Sequence, residues 1–286
     1  MEKAIYDTLH YFALFDYPPT LEELWMFLGK KISKKSAKQL FSKLIMDKRL
    51  ITDAYGTRVT LPGYPSFFSI HNRRSKISEL KKKKAAFFIH LLSYFPWIQL
   101  VGYSGSVSMD NAVEADDIDI FIITKSHRMW TARFFAVLTA WVLRIKRPRS
   151  VNHSTDTVCL NLFFDESNMR VPVVKQTKYV AHEVLQMKVL FQKDRAYSRF
   201  IASNDWVFSF YPNAIAASTE QTGMKDIDIK SVCAGRGFIP FGQIGEWFLH
   251  VIQRIIMKKP RTKERVGKTQ LWFFPDDFED KIRKIY

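Results

Sequence analysis

The segment VGYSGSVSMDNAVEADDIDIFIIT, residues 101–124, constrains this chain more than any other. The apolar run Ile98–Tyr103 leads into Gly105-Ser106. Ten residues follow, and Asp117-Ile118-Asp119 then opens a second apolar run that ends at Thr124. This pattern predicts two strands joined by a tight turn and a polar loop. Residues i and i+2 of a strand point to one face, with Cα atoms roughly 6–7 Å apart. Asp117 and Asp119 therefore converge, while Ile118, Ile120 and Ile122 face a core. Paired carboxylates of this kind suit divalent ions. Hard oxygen donors favour magnesium, and two such ions can clamp the attacking and leaving oxygens of a phosphoryl displacement. Gly105 lets the backbone approach a phosphate closely, Ser106 adds a hydroxyl, and the amides beyond it can form an anion-binding turn.

In these residues the chain resembles the polymerase-β nucleotidyltransferase superfamily, whose pattern is an apolar strand, Gly-Ser, about ten residues, and Asp-x-Asp on an apolar strand. It looks closest to uncharacterised bacterial and archaeal nucleotidyltransferase-domain proteins. These share a Trp-Thr-x-Arg helix (Trp130, Thr131, Arg133), a Cys-x-Asn strand (Cys159, Asn161) and an Ala-His-Glu segment (Ala181, His182, Glu183). The likeness covers about residues 97–213. It implies an α+β fold, with a small mixed sheet flanked by helices, that moves a nucleoside monophosphate from a nucleoside triphosphate to a hydroxyl and releases pyrophosphate. Gly105, Ser106 and Arg133 would hold the triphosphate, Asp117 and Asp119 magnesium. Lys125 is a further candidate for phosphate contact.

The superfamily usually supplies a third carboxylate from a neighbouring strand. On the run Val158–Phe164, alternation places Cys159, Asn161 and Phe163 on one face, and Asn161 aligns with that acid. An amide is neutral and cannot act as a base. Asp165 has the same parity but lies about 13 Å further along the strand, and Asp156 has the opposite parity. Catalysis would then proceed with two acids or with a third from elsewhere. The alternative is a chain that senses nucleotide without turnover and binds nucleic acid, or an inactive scaffold.

The length, 286 residues, accommodates two or three modules. Residues 1–70 read as a winged-helix-like domain: helices around Ile5–Ala13, Thr20–Leu28 and Ser33–Ile45, then strands Leu50–Ala54 and Thr57–Leu61 joined at Tyr55-Gly56. Thr20 and Glu23 form a capping-box pattern. Lys34, Lys35, Lys38 and Lys43 decorate the third helix and are candidates for nucleic-acid contact. Residues 71–180 hold the nucleotidyltransferase pattern. It runs through a basic helix Arg73–Tyr94, the two strands above, a helix Trp130–Ile145, a basic loop Arg147–Ser154 and the strand from Val158. Residues 181–286 read as a mainly helical region, with helices Ala181–Leu190, Tyr197–Asn204 and Ile244–Met257. The broad apolar face of the last of these is expected to pack on the catalytic domain or a dimer partner, with peripheral membrane binding as the less frequent alternative.

The net charge of +16 favours polyanionic partners without choosing among them. The two cysteines, Cys159 and Cys233, form no CxxC pair, which fits a reducing cytoplasm. The N-terminus lacks the features of a signal peptide, and the most apolar stretch, Phe134–Val142, is too short to span a bilayer. The expected partners are thus a nucleoside triphosphate, an unknown acceptor and nucleic acid at the winged-helix-like region, with no integral membrane segment.

Overall fold

The computed structural model describes residues 1–146, 155–216, 242–257 and 265–272. The chain begins with three short helices, α1 (Glu2–Ala13), α2 (Leu21–Met26) and α3 (Lys34–Met46). An antiparallel pair follows, β1 (Ile51–Thr52) and β2 (Val59–Thr60). Thr20 and Glu23 form the expected capping box, and Ser33 caps α3 through the amide of Ser36. The strands are shorter than the apolar pattern suggests. Asp53 takes the amides of Thr57 and Arg58 and turns the chain early. Ile5, Leu9, Leu24, Phe41, Leu44 and Val59 fill a core internal to this unit.

α4 (Ser66–Ser93) begins before the expected Arg73, because Phe67 and His71 are buried and extend the inward face upstream of the basic stretch. Then come β3 (Ile98–Tyr103), α5 (Gly105–Ser108), β4 (Ile118–Thr124), α6 (Met129–Val142) and β5 (Val158–Asp165). They are followed by α7 (Lys178–Gln186), β6 (Lys188–Gln192), α8 (Ala196–Ser203), α9 (Val207–Phe210), α10 (Gln243–Ile256), β7 (Arg265–Val266) and β8 (Gln270–Trp272). The main sheet is mixed, in the order β6-β3-β4-β5-β8-β7, with β4 and β5 parallel and the other neighbours antiparallel.

One expected helix is corrected. Ala181–Leu190 divides at Met187, whose backbone is extended, and Lys188–Gln192 pairs along the open edge of β3. The register of β6 against β3 shifts between Phe191, which pairs with Val101, and Val189, which pairs with Gly102, so these two residues pack on opposite faces of the sheet. With β7 and β8, the region beyond residue 181 supplies three strands of this sheet, while most of its described residues are helical, as expected. The basic loop Arg147–Ser154 and Cys233 lie outside the described residues.

Ile118, Ile120 and Ile122 of β4 face a layer formed by α4, α6 and α10. Phe121 and Ile123 face the opposite layer, where α7, α8 and Phe12 and Phe27 of the N-terminal unit meet. His182 of α7 joins that unit to the sheet. Its ring stacks on Phe27 at 4.0 Å and also meets Tyr11, Phe12 and Tyr211. Asn213 completes the attachment, donating to the carbonyls of Trp25 and Lys30 and accepting from the amide of Ile32.

The buried histidines set a pH dependence. Burial pushes His182 from 6.5 down to about 3 and His71 down to about 4. Between these values and 6.5 the unfolded chain binds protons that the folded chain does not, so stability falls as pH drops below 6.5. Glu183, pushed by burial from 4.5 up to about 7, acts in the opposite sense between those two values. From pH 6.5 to 4.5 the two histidines outweigh Glu183, leaving a net uptake of protons on unfolding, so stability falls with pH over that range. His182→Phe keeps a ring against Phe27 and removes one titrating group. Its unfolding free energy should fall less steeply over that range than the parent's; equal slopes in urea titrations would contradict this.

Candidate functional site

The turn after β3 is dictated by what surrounds Gly105. Its φ is +59°, and a Cβ added there would lie 2.5 Å from Asp119 Oδ2. Only glycine combines that backbone with so close a carboxylate. The amide of Ser104 donates to the carbonyl of Asp119 at 3.1 Å, which locks the end of β3 to the start of β4. Asp117 immediately precedes β4 and is buried; Asp119 is half-buried within it. One ligand atom from each of Asp117, Asp119 and Cys159 falls within 4.8 Å of the other two. Two carboxylates and a thiol thus converge beside the Gly-Ser turn.

Cys159 reaches this cluster through the sheet register. Asp119 pairs with Cys159, but Phe121 pairs with Leu162, so β5 carries one extra residue between them. The expected alternation therefore breaks. Phe163 joins the α4/α6/α10 layer together with Val158, while Leu162 and Phe164 join the other. Cys159 and Phe163 do not share one regular face, and the group set against Asp119 is the thiol of Cys159. Asn161 lies at the irregularity in β5, and its side chain is outside the described residues. Asp165, whose carboxylate accepts from the amide and hydroxyl of Ser167, closes the far end of β5.

Ser106 donates its hydroxyl to Asp116 Oδ2 at 2.7 Å, and the amide of Val113 donates to the same oxygen at 3.0 Å. Asp116 thus organises the polar loop, with the Ser106 hydroxyl already engaged. Lys81, in the basic helix α4, is buried. Its ammonium donates to the carbonyls of Glu114 (3.0 Å) and Asp116 (2.6 Å) and pairs with Asp156 at 3.4 Å. Lys84 also bonds Asp156, and Lys82 bonds Asp110. Burial alone would raise the Asp156 carboxyl; the hydrogen bond from Lys84 and the charges of both lysines hold it below the ordinary range.

Arg133 is not brought to the acids. It lies in the first turns of α6, beyond the Thr124 end of β4, and donates to Gln253 Oε1 at 2.6 Å. Lys125 is at that same end, about 20 Å along the strand from Asp119. Glu183 is the neighbour that sequence reasoning missed. It accepts the amide hydrogen of Gly105 and a bond from Gln186, and burial raises its carboxyl to about 7 against these two opposing contacts. Its adjacency to His182 was legible, but only the packing of α7 reveals that it meets the turn. Two shielded oxygens here, Glu183 Oε2 and Ser104 Oγ, have no hydrogen-bond partner within the protein, as at a site that takes a polar ligand.

No family model, curated protein or solved structure matches the chain.

A paired substitution tests the turn. Gly56 has φ +67° with nothing near a would-be Cβ, whereas Gly105 has φ +59° with Asp119 in the way. Gly56→Ala should cost about 1 kcal/mol for the backbone alone. Gly105→Ala should cost clearly more, by displacing Asp119. Equal losses in thermal unfolding would show that Asp119 yields freely.

Proposed function

We propose that this chain is a metal-dependent nucleotidyltransferase of the polymerase-β type. The observation that carries the reading is the convergence of Asp117 and Asp119 beside a left-handed glycine turn that leaves no room for a side chain. The α+β sheet, with the acids at the start of β4 and the turn at the end of β3, agrees with the pattern from which the resemblance was drawn. The donor set fits a hard divalent cation at its two carboxylates, and magnesium is the ion proposed. The Cys159 thiol is a soft donor and suits magnesium poorly, so the nucleotide's own oxygens would complete the ligation.

In this reading Asp117 and Asp119 hold the ion, which when bound would supply positive charge to the phosphate oxygens. Gly105 admits the triphosphate against the backbone, and Ser106 keeps the acid loop in place through Asp116. The acceptor hydroxyl oxygen bonds to the α-phosphorus and gives its proton to solvent, the bond to the bridging oxygen breaks, and pyrophosphate leaves. Cys159 occupies a position beside Asp119 that an acid would strengthen.

A second reading, nucleic-acid binding through a winged-helix-like N-terminal unit, is favoured by Lys35, Lys38 and Lys43. All three are exposed along α3, whereas Lys34 pairs with Glu22. Binding through phosphates must weaken steeply with salt. A mobility shift of duplex DNA that fades between low and physiological salt, and is lost in Lys35→Glu with Lys38→Glu, is expected. Absence of any shift at low salt excludes this role.

For the principal reading, incubation with α-phosphate-labelled nucleotide, magnesium and a cell extract should label an acceptor. Asp117→Ala with Asp119→Ala should abolish the label. Cys159→Asp should tighten magnesium binding by tenfold or more on the order-of-magnitude scale of one added hard ligand. Persistence of label in the double variant, or unchanged magnesium affinity in Cys159→Asp, would place the chemistry elsewhere.

A further inference from the structure

The helix α10 packs with its polar side inward. Glu246 accepts the amides of Trp130 and Thr131. Gln253 donates to the carbonyl of Trp130 and accepts from Arg133, and Leu249 and Met257 are buried beside them. The opposite side carries Ile244, Trp247, Phe248, Val251 and Ile255, spaced i, i+3, i+4, i+7 and i+11 as a single stripe. Ile244 is 84% exposed, Trp247 64% and Ile255 55%. The neighbouring helix α6 adds Leu138, Trp141 and Val142, with Trp141 67% exposed. Both helices lie on the same side of the sheet. An amphipathic helix on a water-facing surface is expected to do the reverse, and exposed apolar area of this extent marks an interaction surface.

Charge indicates the kind of partner. The sequence after α6 holds Arg144, Lys146, Arg147 and Arg149 with no acid among them. The sequence after α10 holds Lys258, Lys259, Arg261 and Lys263 before its first acid, Glu264. Arg144 and Arg254 are exposed. A second copy of the chain would bring together two chains each bearing +16, which opposes self-association. An anionic surface neutralises them. Tryptophan, with an apolar body and a polar N–H, favours the boundary between headgroups and acyl chains. No described helix is long and apolar enough to cross a membrane.

We propose that the outer face of α6 and α10 docks peripherally on an anionic lipid bilayer. The Trp141, Trp247, Phe248 and Ile255 side chains enter the acyl boundary, and the exposed Arg144 and Arg254 beside them meet lipid phosphates. The proposal does not depend on the nucleotide site.

Co-sedimentation of the full chain with vesicles of phosphatidylcholine, and of phosphatidylcholine mixed equally with phosphatidylglycerol, tests it. Binding is expected to the mixed vesicles, weak or absent on phosphatidylcholine alone, and reduced by salt. Trp247→Glu with Phe248→Glu should lower partitioning by roughly a hundredfold, and Trp141→Glu alone by roughly tenfold. These positions are solvent-facing, and unchanged circular dichroism would verify the fold. Asp117→Ala with Asp119→Ala should bind vesicles like the parent, which separates this result from the nucleotide reading. Three outcomes would overturn the proposal: equal binding to both vesicle types, no binding by a monomeric chain, or a dimer that Trp247→Glu dissociates without vesicle binding.

Discussion

Lys81 is 1% exposed, and its ammonium is held by two carbonyls and a carboxylate. Burying an unpaired ammonium costs several kcal/mol, so these three acceptors must stay in place for the fold to tolerate it. Two of them belong to Glu114 and Asp116, in the loop that delivers Asp117 to the start of β4. The third, Asp156, lies just ahead of β5 and its Cys159. The same buried charge thus fixes both approaches to the acid cluster. It also offsets the crowding of Asp110, Glu114, Asp116, Asp117 and Asp119 within ten residues of sequence. In a chain of net charge +16, acids concentrated this way need cations built into the fold, and Lys81, Lys82 and Lys84 of α4 supply them.

Much of the acid site was legible in the sequence because it depends on local spacing. The Gly-Ser turn, the intervening loop and the parity of Ile118, Ile120 and Ile122 follow from short-range geometry, and β3 spans the expected residues. The third position was not legible, because it depends on how β5 registers against β4. One extra residue in β5 sends Phe163 to the face opposite the one that strict alternation assigns and sets Cys159 against Asp119. No single-strand pattern announces a bulge. Likewise, α7 ends at Gln186 because the open edge of β3 needs a partner, which is a property of the sheet and not of the segment Ala181–Leu190.

Adjacent residues of α7 serve two different neighbours. His182 points into the aromatic cluster of the N-terminal unit, while Glu183 reaches the amide of Gly105. Successive residues on a helix face directions about 100° apart, so one turn of α7 can touch both. This gives the Ala-His-Glu segment a physical role that needs no metal: it ties the N-terminal unit to the turn beside Asp119. A shift of α7 would move both contacts together, and with them the backbone against which a phosphate would be held.

The inverted polarity of α10 has a cause in α6. The first amides of an α-helix have no partner within it, and α6 has no side-chain cap of its own at Arg128. Glu246 reaches across and takes the amides of Trp130 and Thr131, a negative charge placed where the dipole of α6 favours it. Once that contact sets the rotation of α10, the helix period decides the rest. Leu249, Gln253 and Met257 follow Glu246 inward at intervals of three and four. Ile244, Trp247, Phe248, Val251 and Ile255 have only the outward arc left. The exposed stripe is therefore coupled to a cap: α10 cannot rotate to bury it without stripping the N-terminus of α6 of its carboxylate. That leaves the cost of exposing the apolar side chains to be offset by whatever surface they meet.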